Sequence, residues 1–281
     1  STREPWKRAE IIQFVPVVEY PDRFGPKLDD WPVNEDAIED LINNDQPIDQ
    51  AAFESMGSAA RGLPVVENLL WKDGDSTITA LSSGERRCGI LVGAANDIHA
   101  NASALALNWE EEWIQQFTSP ETKQDDAYDC SQDVITEWVN RMGFTVENIR
   151  THKLGKPVVD QADGKPQPDT IESRYSGRSL TDAQDALAGV SDVCGTQNPV
   201  VQGIAELLAE SPDLVAEIDT LLQTTVTRLN EVPETLEETV QIKPEIIARA
   251  QEALRALQIA IQVDLAQALS VTITFNDNDG D

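Results

Sequence analysis

From Leu81 to Phe117 the chain runs without a proline, and Arg87, Leu91, Ala94, Ile98, Ala102, Leu105, Trp109 and Trp113 recur at three- and four-residue steps. Only a helix makes such positions neighbours on one face, so the spacing predicts one long core helix. Other elements must then be laid along it. Arg87 is the single charge in the stripe, and a charge on a core face is costly without a carboxylate partner. Glu67 is the expected partner, because a short turn at Asp73-Gly74-Asp75 lays the preceding helix antiparallel alongside.

The rest reads as helix too. Residues 35–45 and 47–56 form two short pieces. A second long helix, about 124–151, carries Cys130, Val134, Trp138, Met142, Thr145 and Ile149 on one face. It stops near Gly155 and Pro157, and Lys153 suits its negative end. Leu180–Val193, Asn198–Ala209, a helix opened by Ser211-Pro212-Asp213, and a last helix through Ile246, Ala250, Leu254, Leu257, Ile261 and Leu265 complete the set. At the start, Trp6, Ala9 and Phe14 should face inward. Residues 17–34 read as a loop pinned by Tyr20, Phe24 and Trp31, and 158–179 as an ordered excursion rich in glycine and proline. The expectation is an all-α fold in two parts: an N-terminal helical bundle over 1–155, then a connecting loop and C-terminal helical bundle over 156–281.

Charge narrows the partners. The 281 residues carry 50 acidic against 21 basic side chains, a formal net charge of -29. Such a surface repels phosphate backbones and anionic lipid, so nucleic acid is excluded as a partner. It fits salty surroundings or an attraction for cations. No run of apolar residues reaches membrane-spanning length. The opening Ser1-Thr2-Arg3 reads as a mature or trimmed start. Three cysteines without C-x-x-C spacing make neither a zinc knuckle nor a redox pair. A Cys88–Cys130 bridge in an oxidising envelope is one reading and buried free thiols the other.

One segment carries chemistry: Ala60-Arg61-Gly62-Leu63-Pro64-Val65-Val66-Glu67. Gly62 turns the chain, Pro64 suits a helix start, and Glu67 follows one turn in, where the helix dipole favours a carboxylate. Glu67 is either a site residue or only a dipole-satisfying side chain on an amphipathic helix. The segment resembles the signature of the imelysin-like family, Gly-x-His-x-x-Glu at a helix start. Gly62 and Glu67 match, and Pro64 stands at the histidine position, as in a branch reading Gly-Leu-Pro-x-x-Glu. Further resemblances lie in the Trp6 helix, the Arg87-Cys88 helix with Trp109, Lys153–Pro157, the polar segment Glu172-Ser173-Arg174-Tyr175-Ser176-Gly177-Arg178, and the terminal Asp279-Gly280-Asp281.

The resemblance implies two four-helix bundles related by approximate two-fold symmetry, with a site in the cleft between them. It places that site at Glu67, Arg87, Glu172, Ser173, Ser176 and Arg178, with Glu67 as the one candidate metal ligand. It also implies a bacterial cell-envelope protein, periplasmic or held at the outer membrane through a lipoprotein anchor, its signal peptide removed, with a link to iron uptake. Iron, haem, a siderophore or an envelope iron-uptake protein would be the partner, and iron the cofactor. A carboxylate-bearing ligand would suit the arginines and hydroxyls; a hard cation would suit the carboxylates.

The competing readings are a metallopeptidase of the imelysin type and a structural or partner-binding envelope protein in which Glu67–Arg87 is a buried ion pair. A peptidase is disfavoured because Pro64 removes the histidine, no H-E-x-x-H occurs, and His99 and His152 have no second histidine at ligand spacing. At a helix end, His152 reads as a charged imidazole favouring the dipole. The acidic tail Asp277–Asp281 resembles half a calcium loop but has no distal glutamate.

Overall fold

The computed structural model describes residues 3–12, 23–120, 127–159, 164–195, 203–233 and 235–274. Every regular element among them is helical, so the chain is all-α. None of these helices is long and apolar enough to cross a membrane. The contacts divide the chain into two compact units: Ser1–Val15, Gln115–Ile171 and Ser179–Asp281 form one, Pro16–Ile114 and Glu172–Arg178 the other. The division therefore follows different lines from a cut at residue 155. Its physical basis is plain in the core. Val139, Met142 and Val146 of the helix Ser131–Asn148 share one apolar cluster with Leu187, Leu222 and Leu254.

The larger unit packs Ser131–Asn148, Ser179–Cys194, Pro212–Asn230 and Pro244–Ile259 together around that cluster. Of the helix expected over Asn198–Ala209, residues 198–202 lie outside the described residues, and the described part forms a short turn, Ile204–Leu208. Pro212 starts its helix as expected, although the Ser211 side chain makes no capping bond. The N-terminal helix Arg3–Arg8 lies on Ser179–Cys194. The approach is so close at Gly189 that an added Cβ would stand 2.1 Å from the Arg8 carbonyl oxygen.

That first helix turns a charged face inward. Arg3 and Lys7 are buried, whereas Trp6 and Ala9 are only half-buried and Phe14 lies outside the described residues. Ion pairs decide this orientation: Arg3 Nε meets the fully buried Asp182 at 2.9 Å, and Glu10 takes Lys153 at 3.0 Å. Lys153 stands in the last turn of its helix as expected, and is also the buried partner of Glu10.

In the smaller unit a helix runs from Glu85 to Asn108 and on through a π turn, Trp109–Trp113. It starts later than Leu81 because Gly84, at φ -129° and ψ 95°, breaks it from Thr77–Ser83. The helices Phe24–Leu28, Glu35–Asn43, Gln50–Ser55, Leu63–Trp71 and Thr77–Ser83 all pack on it. Asn34 and Asp49 cap two of them through side-chain oxygens that accept from Ala37 and Ala52. Each such cap contributes about 1 kcal/mol. The buried face of the long helix is Ile90, Ala94, Asp97, Asn101 and Leu105, one position round from Leu91, Ile98 and Ala102. The rotation puts Asp97 opposite Arg61.

All three cysteines are free: Cys88 is exposed, Cys130 half-buried and Cys194 buried. Tyr20 of the 17–34 loop and the acidic end from Phe275 to Asp281 lie outside the described residues.

Candidate functional site

The signature helix Leu63–Trp71 begins on Gly62 at φ +80°, and a Cβ there would lie 2.4 Å from the Leu28 carbonyl oxygen. Only glycine combines that backbone with that approach. Pro64 occupies the first turn, where a missing N–H costs nothing. Val65 and Leu69 then face the core, and Glu67 is carried between them to a position 2% exposed.

Glu67 Oε1 accepts two hydrogen bonds, from the Ser176 backbone N–H at 2.8 Å and from the Ser176 hydroxyl at 2.8 Å. Ser176 belongs to Glu172–Arg178, the excursion that counts with this unit although it follows far later in sequence. The excursion is a set of tight turns. Ser173 is fully buried at a left-handed φ of +54°, its carbonyl accepts from the Arg178 N–H at 3.1 Å, and Gly177 also adopts positive φ. Tyr175 pins the segment from its other side. Its hydroxyl donates to Glu35, whose second oxygen takes Lys72 at 2.7 Å, and its ring meets Trp31 edge-on at 6.2 Å. Arg174 lies over the Tyr175 ring at 5.4 Å.

The structure brings Glu67 and Ser176 into direct contact, with Glu172, Ser173 and Arg178 in the same short segment. Arg87 stands elsewhere. Its Nη2 donates to Asp73 at 2.6 Å, so the expected Glu67–Arg87 pair does not form. The turn at Asp73-Gly74-Asp75, which follows the signature helix and leads into Thr77–Ser83, supplies the carboxylate that Arg87 takes, while the signature helix spends Glu67 on the serine.

Glu35, Lys72 and Trp31 were not foreseen as site residues, and Glu35 and Tyr175 are 140 positions apart. Arg61 and Asp97 were missed as well, although Asp97 sits seven residues after Ile90 on the buried face. Arg61 Nε donates to Asp97 Oδ2 at 2.9 Å and Nη2 to Oδ1, forming a fork in which both side chains are buried. Gln50 at 3.1 Å and Asn101 at 3.2 Å also donate to Asp97 Oδ1.

Among the described residues no three His, Cys, Asp or Glu side chains converge as a ligand set. Pro64 contributes no ligand atom, and one oxygen of Glu67 is committed to Ser176. His99 is exposed. His152 is half-buried, and burial, then Lys156 and Lys153, lowers its pKa, so this imidazole is held neutral rather than charged. The residues do not fit the three-ligand site of a zinc peptidase.

Geometry and sequence thus define a class: an all-helical protein whose Gly-Leu-Pro-x-x-Glu helix start hands a buried glutamate to a polar turn from later in the chain. The imelysin family model matches residues 1–262, and the chain belongs to that family. It is similar to the crystal structure of a protein described as an iron-regulated protein A precursor from Parabacteroides distasonis ATCC 8503. The TM-score is 0.78 and the identity 18%, over 95% of this chain and 80% of that one. It is also similar to an imelysin-like protein from Psychrobacter arcticum 273-4, with TM-score 0.74 and 16% identity over 97% of this chain and 80% of that one. No curated protein matches. At these identities the two structures establish the fold alone.

Proposed function

We propose that this imelysin-family chain is an exported bacterial envelope protein of iron uptake that binds a ligand at the Glu67–Ser176 site and cleaves nothing. The observation that carries the reading is Glu67 itself. A carboxylate 2% exposed is held by an amide and a hydroxyl of a segment 109 positions away, all within one compact unit. Sites tend to be built from such turns on rigid helices. The iron connection is supported by the family and by the name of the Parabacteroides neighbour. A chelated iron, as haem or a ferric siderophore, suits the site better than a bare ion, because no three ligating side chains converge among the described residues.

One observation favours a second reading. Both hydrogen bonds from Ser176 fall on a single Glu67 oxygen, and Tyr175, Glu35 and Lys72 fasten the same segment. That is the arrangement of a structural clamp. Calorimetric titration of the intact chain with ferric ion, haem and a ferric siderophore separates the two. Saturable heat that is lost in Glu67→Gln, with helicity unchanged, supports the binding site. Silence from all three ligands leaves the clamp.

A further inference from the structure

A cavity of about 310 Å³ opens in the smaller unit between the helices Phe24–Leu28, Gln50–Ser55 and Glu85–Asn108. Phe24, Lys27, Gln50, Glu54, Arg61 and Asn101 supply its chemistry. At liquid density that volume holds roughly ten waters, enough for a ligand of about as many non-hydrogen atoms.

The polar atoms in its wall are only partly used. Arg61 spends Nε and Nη2 on Asp97, and among the described residues Nη1 has no partner. Nη1 is also absent from the fully enclosed unpartnered atoms, so it keeps contact with open space. Asn101 donates through Nδ2 to Asp97 and leaves its carbonyl oxygen unused. Among the described residues Lys27 meets only the Phe24 ring, at 5.4 Å, with no carboxylate partner. Glu54 accepts one hydrogen bond from Gln50 at 3.3 Å and, among the same residues, pairs with no cation.

Charge then selects the ligand. Arg61 and Asp97 cancel, and among the described residues the cavity is left with one unpaired cation, Lys27, and one unpaired anion, Glu54, on different helices. A net anion would meet Glu54, and a net cation would meet Lys27. A dipolar molecule satisfies both, with its carboxylate on Lys27 and Arg61 Nη1 and its ammonium on Glu54 and the Asn101 carbonyl. We propose that this cavity binds a free α-amino acid as a zwitterion, at a site separate from Glu67.

The test is calorimetric titration of the intact chain with glycine, alanine, serine, aspartate and lysine, and with acetate and methylamine as single-charge controls. At least one amino acid should bind saturably, and each control at least about tenfold more weakly, as expected when one charge-assisted contact is lost. Lys27→Met and Glu54→Gln, both at the cavity rim, should each weaken amino-acid binding by about tenfold or more while helicity is unchanged. Glu67→Gln should leave it unaltered, so that failure here is distinct from failure at the serine-bound glutamate. The proposal is overturned if no amino acid binds the unaltered chain, if acetate or methylamine binds as tightly, or if binding survives both rim substitutions.

Discussion

Removing one partner of the Arg61–Asp97 fork leaves a charge in a place built for two. Side-chain exposure is 5% for Arg61 and 0% for Asp97. Breaking a buried pair from one side costs about 3–5 kcal/mol. In Arg61→Met the stranded group is Asp97, fixed on the long helix and still receiving Gln50 and Asn101, so we expect about 3 kcal/mol, the low end of that range. In Asp97→Leu the stranded group is Arg61, which lines the open cavity, so the loss should be no larger. The double variant strands no charge and should cost far less than the sum, giving a coupling of at least about 2 kcal/mol. Urea unfolding of all four proteins, followed by far-ultraviolet circular dichroism, gives the cycle. If the two losses add to within about 0.5 kcal/mol, the buried pair is not the energetic unit described here.

Gly62→Ala should destabilise by several kcal/mol, because a left-handed-side φ costs about 1–3 kcal/mol for a side-chain-bearing residue and its Cβ would stand 2.4 Å from the Leu28 carbonyl oxygen; thermal melting checks this, and an unchanged midpoint would refute it. His152 titrates lower when folded than its ordinary value of about 6.5, so its contribution is complete above that value and is lost as pH falls through it toward the lowered one. Urea midpoints of His152→Gln should therefore fall less than those of the unaltered chain over that acid range, and parallel curves would refute the assignment. Under native conditions a thiol reagent should label Cys88 first and spare Cys194, which is 3% exposed, as peptide mapping by mass spectrometry would register.

The fold was legible wherever one period governed a long stretch. Proline-free periodicity marks the long helix, and Pro212 and Pro244 mark two helix starts. Its inward face lies one position round from the apolar stripe because Asp97 is held inside by Arg61 and Gln50, and Asn101 by its own bonds to Asp97. The N-terminal helix differs from the inward Trp6, Ala9 and Phe14 face for the same reason: Arg3 and Lys7 are drawn inside by Asp182 and Glu10. At the site, Glu67, Ser176 and their segment were named from the motif and the resemblance, not from spacing. Tyr175 to Glu35 has no local trace, since pairing across 140 positions leaves no period to read. Arg87 shows the limit of neighbour logic: the partner chosen was on the right helix pair, but the connecting turn offered a closer acid.

The excursion Glu172–Arg178 gives the signature glutamate a particular history during synthesis. A ribosome delivers Glu67 long before Ser176, and the nascent chain meanwhile holds an acid whose eventual donors do not yet exist. Glu172–Arg178 can join residues 16–114 in one compact unit only after most of the intervening chain has been made. A chain that stops before residue 176 lacks both the amide and the hydroxyl from which this carboxylate accepts.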